Sequence, residues 1–572
     1  MNTEELTKLR HTAREALRLR EGQLPTDGFE FHVLVCGGTG CVSSGCKSVR
    51  NALVDEVTKR GLEQKVRVIE TGCLGPCNLG PIVTVYPDGV FYHKVTADDA
   101  VFIVREHLEQ GRVVQGLLYR SPETGQLLRT WPEIPFFRKQ RRIVLRNCGL
   151  IDPLSIGEYI ARDGYAALPR VLGGMTPEAV IEEVRKSGLR GRGGAGFPTG
   201  VKWDAARRAP GNPKYVVCNG DEGDPGAFMD RSVLEGDPHS VLEGMAICGY
   251  AVDAAKGYAY IRAEYPLAIE NFQAAIDQAR AGGLLGRNIL DLGFDFDVEI
   301  RVGAGAFVCG EETALLNSIA GKRGEPRPRP PFPAQCGLFD KPTVINNVET
   351  WANIPPIITN GGDWYAAIGT EKSKGTKVFA LAGKVINTGL VEVPLGTTLR
   401  EVVCDIGGGV KDGKKLKAVQ TGGPSGGAIP AEQIDTPIDY EALAALGSIM
   451  GSGGMIVVDE DTCMVDLARF FLEFVQDESC GKCTPCRIGT RRMYEILTRL
   501  SQGRAQKGDV DLLIELAHVI KNSALCGLGQ TGPNPVLSTT ANYRHEYDLH
   551  ALEKKCPTGA CPMRIKPAQA RK

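Results

Sequence analysis

The 572-residue sequence predicts a multidomain α/β protein that ends in a helical bundle. Three observations carry that expectation. The first stretch of about 110 residues runs strand, helix, strand, hairpin, helix. From about residue 141 to 350, helical and strand patterns alternate around Gly-rich turns. Between 440 and 530 helical periodicity dominates, interrupted by "ESCGKCTPCRIG", where Cys480, Cys483 and Cys486 stand at CxxCxxC spacing.

The chain opens with a charged helix, "MNTEELTKLRHTAREALRLREGQ", which lacks the apolar stretch of a secretory signal. "FHVLV" (31–35) is a short strand ending at Cys36, and "KSVRNALVDEVTKRG" is a helix. "KVRVIE" is a strand running into Cys73 and Cys77, "IVTVYPDGVFYHKV" a hairpin with a Pro-Asp-Gly turn, and "ADDAVFIVREHLEQG" an amphipathic helix. That order is thioredoxin-like over residues 1–112, with cysteines at strand-to-loop exits. Residues 113–144 read as a linker ending in the basic "RKQRR". Residues 145–352 read as an α/β domain with its ligand on the glycine-rich turns. The alternating "TKVFALAGKV" and "LVEVPLGTTLREVV" predict a small β-grasp-like domain over 353–436. A helical domain (437–540) and a Cys/His tail (541–572) complete the division.

Lys plus Arg number 67 against 68 for Asp plus Glu, so no electrostatic case for nucleic acid or a membrane surface arises. The most apolar window, "ALAALGSIMGSGGMIVV", is Gly-rich and shorter than the roughly 20 residues that span a bilayer. A soluble cytoplasmic protein is expected. The 18 cysteines are clustered, which points to metal or redox centres rather than disulfides. Cys148, Cys218, Cys248, Cys309 and Cys404 stand singly in apolar context and read as small buried hydrophobes.

Cys36-x4-Cys41 and Cys73-x3-Cys77 put four thiolates on two loops of one small domain, suited to a [2Fe–2S] cluster; neither spacing fits a zinc ribbon. Cys46 is a fifth candidate, either spectator or alternative ligand. The CxxCxxC run needs one remote cysteine to hold a [4Fe–4S] cluster, and Cys526 in "SALCGLGQ" supplies it after an antiparallel helical return. In the tail, His550, Cys556 and Cys561 combine with Cys463 into a Cys3His zinc set. The alternatives there are free thiols, a surface disulfide, ligation of a cluster shared with another chain, or His545 as the ligand.

"SGLRGRGGAGFPTGVKW" contains a literal GxGxxG, but helical periodicity precedes it and Pro198 and Gly200 interrupt the residues after it, so the Rossmann reading fails. Its glycines suit a loop whose backbone approaches a flat or phosphorylated ligand, with Lys202 as a cation beside Phe197 and Trp203. "YVVCNGDEGDPGAFMDR" packs Asn219, Asp221, Glu222 and Asp224 on one loop, suited to a divalent metal, ribose hydroxyls or flavin nitrogens. Glu311 and Glu312 open a helix, where acids suit the dipole, and Asn346 and Asn347 offer amides to a phosphate or ring carbonyl.

These motifs, with "GEETALLNS", "INNVET" and "ESCGKCTPCRIGT…LCGLG", closely resemble the NADH-oxidising flavoprotein subunit of respiratory complex I over about residues 145–535. The same flavoprotein occurs in NAD-linked hydrogenases and formate dehydrogenases. The N-terminal module resembles the [2Fe–2S] domain that in complex I is a separate subunit. Its fusion here resembles the β subunit of soluble, often electron-bifurcating, multimeric hydrogenases. The resemblance implies that Gly191, Arg192, Gly193, Gly194, Lys202, Asn219, Asp221, Gly310, Glu311, Asn346 and Asn347 hold FMN, with Phe307 near the ring. It implies that Phe197 and Phe332 stack on NADH and that Lys202, Asp224 and Glu312 contact the dinucleotide. NADH would pass a hydride to FMN, and electrons would leave singly to the Cys480/Cys483/Cys486/Cys526 cluster.

Three departures stand out: Asp224 where complex I usually has Glu, Phe307 where it often has Tyr, and no two-cluster ferredoxin run before Lys572. The implied partners are a hydrogenase or formate dehydrogenase catalytic subunit, a further iron–sulfur subunit, and ferredoxin if electrons bifurcate. A standalone diaphorase is the rival enzyme and an electron-transfer scaffold the rival non-enzyme. Acids at the ribose site favour NADH over NADPH.

Overall fold

Phe31–Cys36 (β1), an apolar run enclosed on both faces, is an inner strand of the first sheet. In a computed structural model describing residues 1–23, 28–122 and 124–563, β1 pairs in parallel with Val66–Thr71 (β2). On its other side it pairs antiparallel with Val83–Tyr86 (β3), which turns back into Val90–Tyr92 (β4). The helix Cys46–Lys59 makes the crossover that a parallel pair requires. This is the thioredoxin-like sheet, with Cys36 closing β1 and Cys73 and Cys77 following β2.

The first helix leaves that module. Thr3–Glu15 buries Leu6 in the core of the α/β domain, and Arg14 pairs with Asp163 at 2.6 Å. The linker is packed as well. Tyr119–Arg120 (β5) and Leu127–Leu128 (β6) form a short ribbon, while Phe136 and Phe137 enter a core shared with the β-grasp-like sheet. The buried Glu392 carboxylate accepts the N–H groups of Ile143, Val144 and Leu145 at 2.9, 3.0 and 2.9 Å, tying the linker's end to that sheet.

Tyr215–Gly220 (β7), Lys256–Arg262 (β8), Asp297–Gly303 (β9) and Thr343–Asn347 (β10) form an all-parallel sheet in the order β10-β7-β8-β9. The glycine-rich stretch joins helix Pro177–Lys186 to helix Thr199–Arg208, so it does not follow a strand. One expectation is corrected here. Pro198 does not interrupt a helix but caps one, because the first turn needs no proline N–H. Gly200 lies in that first turn, where a Cβ would come within 2.8 Å of the Arg185 backbone.

The third sheet contains Thr376–Gly383 (β11), Gly389–Pro394 (β12), Leu416–Thr421 (β13), Ala428–Pro430 (β14) and Gly454–Asp459 (β15), in the order β12-β11-β15-β13-β14. β15 lies beyond the boundary expected at 436 and inserts between β11 and β13. Only long-range pairing places it there. Met464–Asp477, Arg491–Ser501, Asp509–Ser523 and Asn534–Asn542 form the helical domain. Among the described residues, no helix is long and apolar enough to cross a membrane.

Candidate functional site

Parallel pairing sets Asn347 of β10 opposite Asn219 of β7, so both amides stand at the carboxyl edge of the sheet. Asn219 Nδ2 donates to the Gly310 carbonyl at 2.9 Å, and its Oδ1 accepts the Asp221 N–H at 3.0 Å. Asn347 Oδ1 accepts from Glu349 N at 2.9 Å and caps the helix Val348–Asn360, while Nδ2 donates to Asp230. The glycine loop crosses this edge: a Cβ on Gly193 would lie 3.0 Å from that of Asn347. Gly194 and Gly196 take φ of +123° and +65°, conformations that only glycine adopts freely. Tyr440 of the β-grasp-like region closes the loop, donating to the Gly191 carbonyl at 2.8 Å beneath the Arg190 guanidinium.

Arg192 plays a different part from the one its neighbours suggest. Its fully buried guanidinium donates to the carbonyls of Thr376 (3.0 Å), Arg190 (2.9 Å) and Lys374 (2.6 Å) and to Tyr365 Oη (3.0 Å). It anchors the loop to the next domain rather than presenting charge to a ligand. Lys202 Nζ donates to the Ile345 carbonyl at 2.8 Å, and burial lowers its pKa. Asn346, with its amide turned to donate to that carbonyl at 2.9 Å, accepts from Trp203 Nε1 at 3.0 Å.

The acids divide. Glu311 Oε2 accepts the N–H groups of Thr313 and Ala314, both at 2.9 Å, and so caps its helix as the dipole argument expects. Glu312 pairs with Arg329 at 2.6 Å. Asp221 is nine-tenths buried, and both its oxygens lack a partner among the described residues. Burial pushes its pKa up to about 7 against the pull of Arg262. An enclosed carboxyl without a partner fits a site completed by a bound donor such as a flavin ring or ribityl hydroxyl. Asp224 faces the β-grasp-like domain, where a Cβ on Gly423 would lie 2.8 Å from its carboxyl carbon. Phe197 and Phe332 are each 51 % exposed, unpacked surfaces available for stacking, and the Arg329 guanidinium lies 5.8 Å from the Phe332 ring. Phe307 packs edge-on to Phe474 at 5.1 Å, and its N–H donates to Glu478 at 2.8 Å, joining this edge to the helical domain.

Cys480, Cys483, Cys486 and Cys526 line one recess with Val308, Pro326 and Leu528. Ser479 Oγ lies 3.2 Å from Cys486 Sγ. The N–H groups of Leu528 and Gly529 are directed at Cys526. Cys486 and Cys526 share a buried apolar cluster with Val308, Cys309 and Leu315 of the α/β domain. In the thioredoxin-like module, hydrogen bonding from Cys41 and Cys73 holds the Cys36 thiol well below its ordinary range, while those two partners are pushed up. Gly80 leaves room there, since a Cβ on it would lie 2.7 Å from Cys41 Sγ. Cys46 is buried at the start of its helix, one turn of chain beyond Cys41, and burial pushes its thiol up to about 12. Cys36, Cys41, Cys73 and Cys77 stand together on the two loops that follow β1 and β2, a donor set suited to a [2Fe–2S] cluster.

The ligand atoms of Cys463, His550, Cys556 and Cys561 all lie within 4.8 Å of one another. His550 Nε2 is 3.5 Å from Cys463 Sγ and 3.4 Å from Cys561 Sγ, and its Nδ1 faces the Glu546 carbonyl at 2.7 Å. That carbonyl fixes the ring tautomer as outer-shell partners of metal-binding histidines do. His545 is outside the group.

Sequence reasoning misses Asp230, Glu235, Arg262 and Glu478. Asp230 and Glu235 look like polar positions of an ordinary helix, and only Glu478, immediately before "SCGKC", carries a positional hint.

The Nuo51 FMN-binding domain matches residues 184–356, the NADH-ubiquinone oxidoreductase-F iron-sulfur binding region matches 466–550, and the thioredoxin-like [2Fe-2S] ferredoxin matches 26–107. The NADP-reducing hydrogenase subunit HndC of Solidesulfovibrio fructosivorans is 63 % identical over 424 residues, 74 % of this chain and 86 % of that protein. An NADH-quinone oxidoreductase subunit of Escherichia coli is 41 % identical over 398 residues, 69 % of this chain and 89 % of that protein. A crystal structure of NAD+-reducing [NiFe]-hydrogenase in the H2-reduced state superposes with a TM-score of 0.64 at 27 % identity, covering 96 % of this chain and 90 % of that one. The cradle at the sheet edge, the two iron–sulfur cysteine sets and these matches agree: the chain belongs to the family of FMN- and NAD(H)-binding iron–sulfur subunits found in NADH-quinone oxidoreductases and related hydrogenases.

Proposed function

We propose that this chain moves hydride between NAD(H) and FMN, and single electrons to its iron–sulfur clusters, as the flavoprotein subunit of a soluble, cytoplasmic multisubunit hydrogenase. When bound, FMN supplies the exchange between two-electron and one-electron chemistry, while the protein sets orientation and access. Asn219, Asn347 and the glycine loop shape the cradle, Asp221 offers a hydrogen-bonding carboxyl, and Phe197 and Phe332 offer stacking faces for the nicotinamide and adenine. The observation that carries the reading is the shared apolar wall: Cys486 and Cys526 pack against Val308 and Cys309 of the flavin edge, with Glu478 bridging to Phe307.

The hydrogenase assignment is supported by the HndC match. Bifurcation with ferredoxin is the finer form of the same proposal, and a formate dehydrogenase partner or a standalone diaphorase are its rivals. The relative is named for NADP, but Asp224 and Glu312 favour NADH because a 2′-phosphate would meet carboxylates. Copurification from the native host identifies the partners; isolation as a lone, fully active monomer refutes the complex. Anaerobic addition of NADH should bleach bound FMN and reduce the clusters, and a chain without FMN or without bleaching refutes the dehydrogenase. We further propose one Zn in the Cys3His set.

A further inference from the structure

The helix Met229–Gly236 touches both redox sites. In its first turn Asp230 accepts from Asn347 of the flavin cradle. Glu222 in turn accepts the N–H groups of Asp230 and Arg231, each at 3.1 Å. In its last turn the Glu235 carboxylate, 2 % exposed, accepts both the N–H of Thr39, at 3.1 Å, and the Thr39 hydroxyl. Thr39 lies between Cys36 and Cys41, where it opens the short helix Thr39–Ser43. Arg231 Nε is 3.7 Å from the same carboxylate. At about 1.5 Å rise per residue, Asp230 and Glu235 are about 7.5 Å apart along the helix.

The second cysteine loop is held as tightly. A Cβ on Gly72 would lie 2.3 Å from Gly236 Cα, and one on Gly149 would lie 2.4 Å from Leu74 Cδ1. On the opposite side Leu390 N donates to the Gly75 carbonyl at 3.0 Å, from the β-grasp-like sheet. Backbone against backbone, the [2Fe–2S] end of the module is clamped between two other domains instead of facing solvent as a detachable carrier.

We propose that Glu235 is a positioning residue that fixes the Cys36–Cys41 loop to the flavin domain and, through its charge, holds down the reduction potential of the [2Fe–2S] cluster. The inference rests on Cys36, Cys41, Cys73 and Cys77 being that cluster's ligands. A buried carboxylate close to the cluster opposes an added electron, and charge, hydrogen bonding and exposure are the protein's levers on such potentials. Burial raises the Glu235 pKa, while the two Thr39 donors and the nearby Arg231 pull it back towards the ionised form. Glu235→Gln preserves shape and an acceptor while removing the charge.

The test is an EPR-monitored redox titration of the intact, FMN-loaded chain, wild type beside E235Q, with iron and flavin counted. The expected result is a [2Fe–2S] reduction constant raised about tenfold, about 59 mV for one electron, with the [4Fe–4S] potential unmoved. An unchanged [2Fe–2S] potential in a fully loaded E235Q protein overturns the proposal. If E235Q does not retain the cluster, Thr39→Val decides, because it keeps the charge and removes one donor. It should lower the potential and alter the g-values; a wild-type spectrum and potential overturn the proposal. A wild-type chain with a [4Fe–4S] signal but no [2Fe–2S] signal overturns the ligand reading and this inference with it, and the iron count separates that failure from the others.

Discussion

The helical domain carries two sets of four soft ligands that differ in how closely they converge. Cys463, His550, Cys556 and Cys561 meet within 4.8 Å, and among the described residues this is the group tight enough for a single ion. Cys480, Cys483, Cys486 and Cys526 instead line a shared recess and, unlike the tail set, do not all meet within that distance. A tetrahedral ion with Zn–S near 2.3 Å sets ligand atoms about 3.7 Å apart, close to the 3.4 and 3.5 Å contacts of His550. A four-iron cage needs its thiolates held further apart around a volume. Ligand spacing in space, more than ligand type, separates a mononuclear from a polynuclear site. Surroundings differ too: the recess is lined in part by Val308 of the α/β domain, whereas the tail set packs with Val465, Leu472 and Tyr547 inside the helical core.

The largest expected effect comes from Cys526→Ser. Iron should fall from about six to about two per chain while zinc stays near one, measured by metal analysis. Outer-shell changes alone cost 10–100-fold, so loss of a ligand should slow NADH-driven reduction of downstream acceptors by at least about 100-fold, with FMN bleaching retained. Loss of zinc in the same variant would break the separation between the sites.

Cys556→Ser should do the reverse. Zinc falls to near zero and iron stays near six, and the domain loses several kcal/mol, less than the roughly 10–16 kcal/mol of isolated zinc modules because a helical core remains. A thermal melt and limited proteolysis of the tail read this, with FMN bleaching within about twofold of wild type.

His550→Cys sharpens the comparison, because four thiolates at mononuclear spacing should still bind one zinc and no additional iron. Extra iron in this variant would show that ligand type outweighs spacing. The smallest effect is expected from Ser479→Ala. It removes the hydroxyl 3.2 Å from Cys486 Sγ, a bond worth about 0.5–1.5 kcal/mol, and should lower the [4Fe–4S] potential slightly without changing zinc content. A redox titration with an unmoved potential would assign that hydroxyl to local structure alone.

Much of the molecule is legible in the order of its residues. The thioredoxin-like module follows from β1 to β4 and their helices because neighbouring elements pair with one another. Cys526 is legible because helices separated by short turns return antiparallel. The placement of the first helix is not, because its one fully buried apolar residue, Leu6, gives no sign of which core receives it. β15 escapes a local reading because its register with β11 and β13 links segments far apart in sequence. Arg192 is legible as part of a glycine-rich loop, but its anchoring role is not, because its buried guanidinium finds its carbonyl and hydroxyl partners largely on the next domain.

The sequence by itself determined the chemistry available: thiolates in spaced groups, glycines where a backbone must come close, amides and carboxyls on loops. Those are properties of residue types and short separations. Tertiary structure alone decided which carboxyls remain unpartnered, which cysteines converge on a point and which surround a recess, and that Glu235 reaches the Cys36–Cys41 loop. Such outcomes depend on desolvation and on packing between segments up to hundreds of residues apart, which no local pattern encodes.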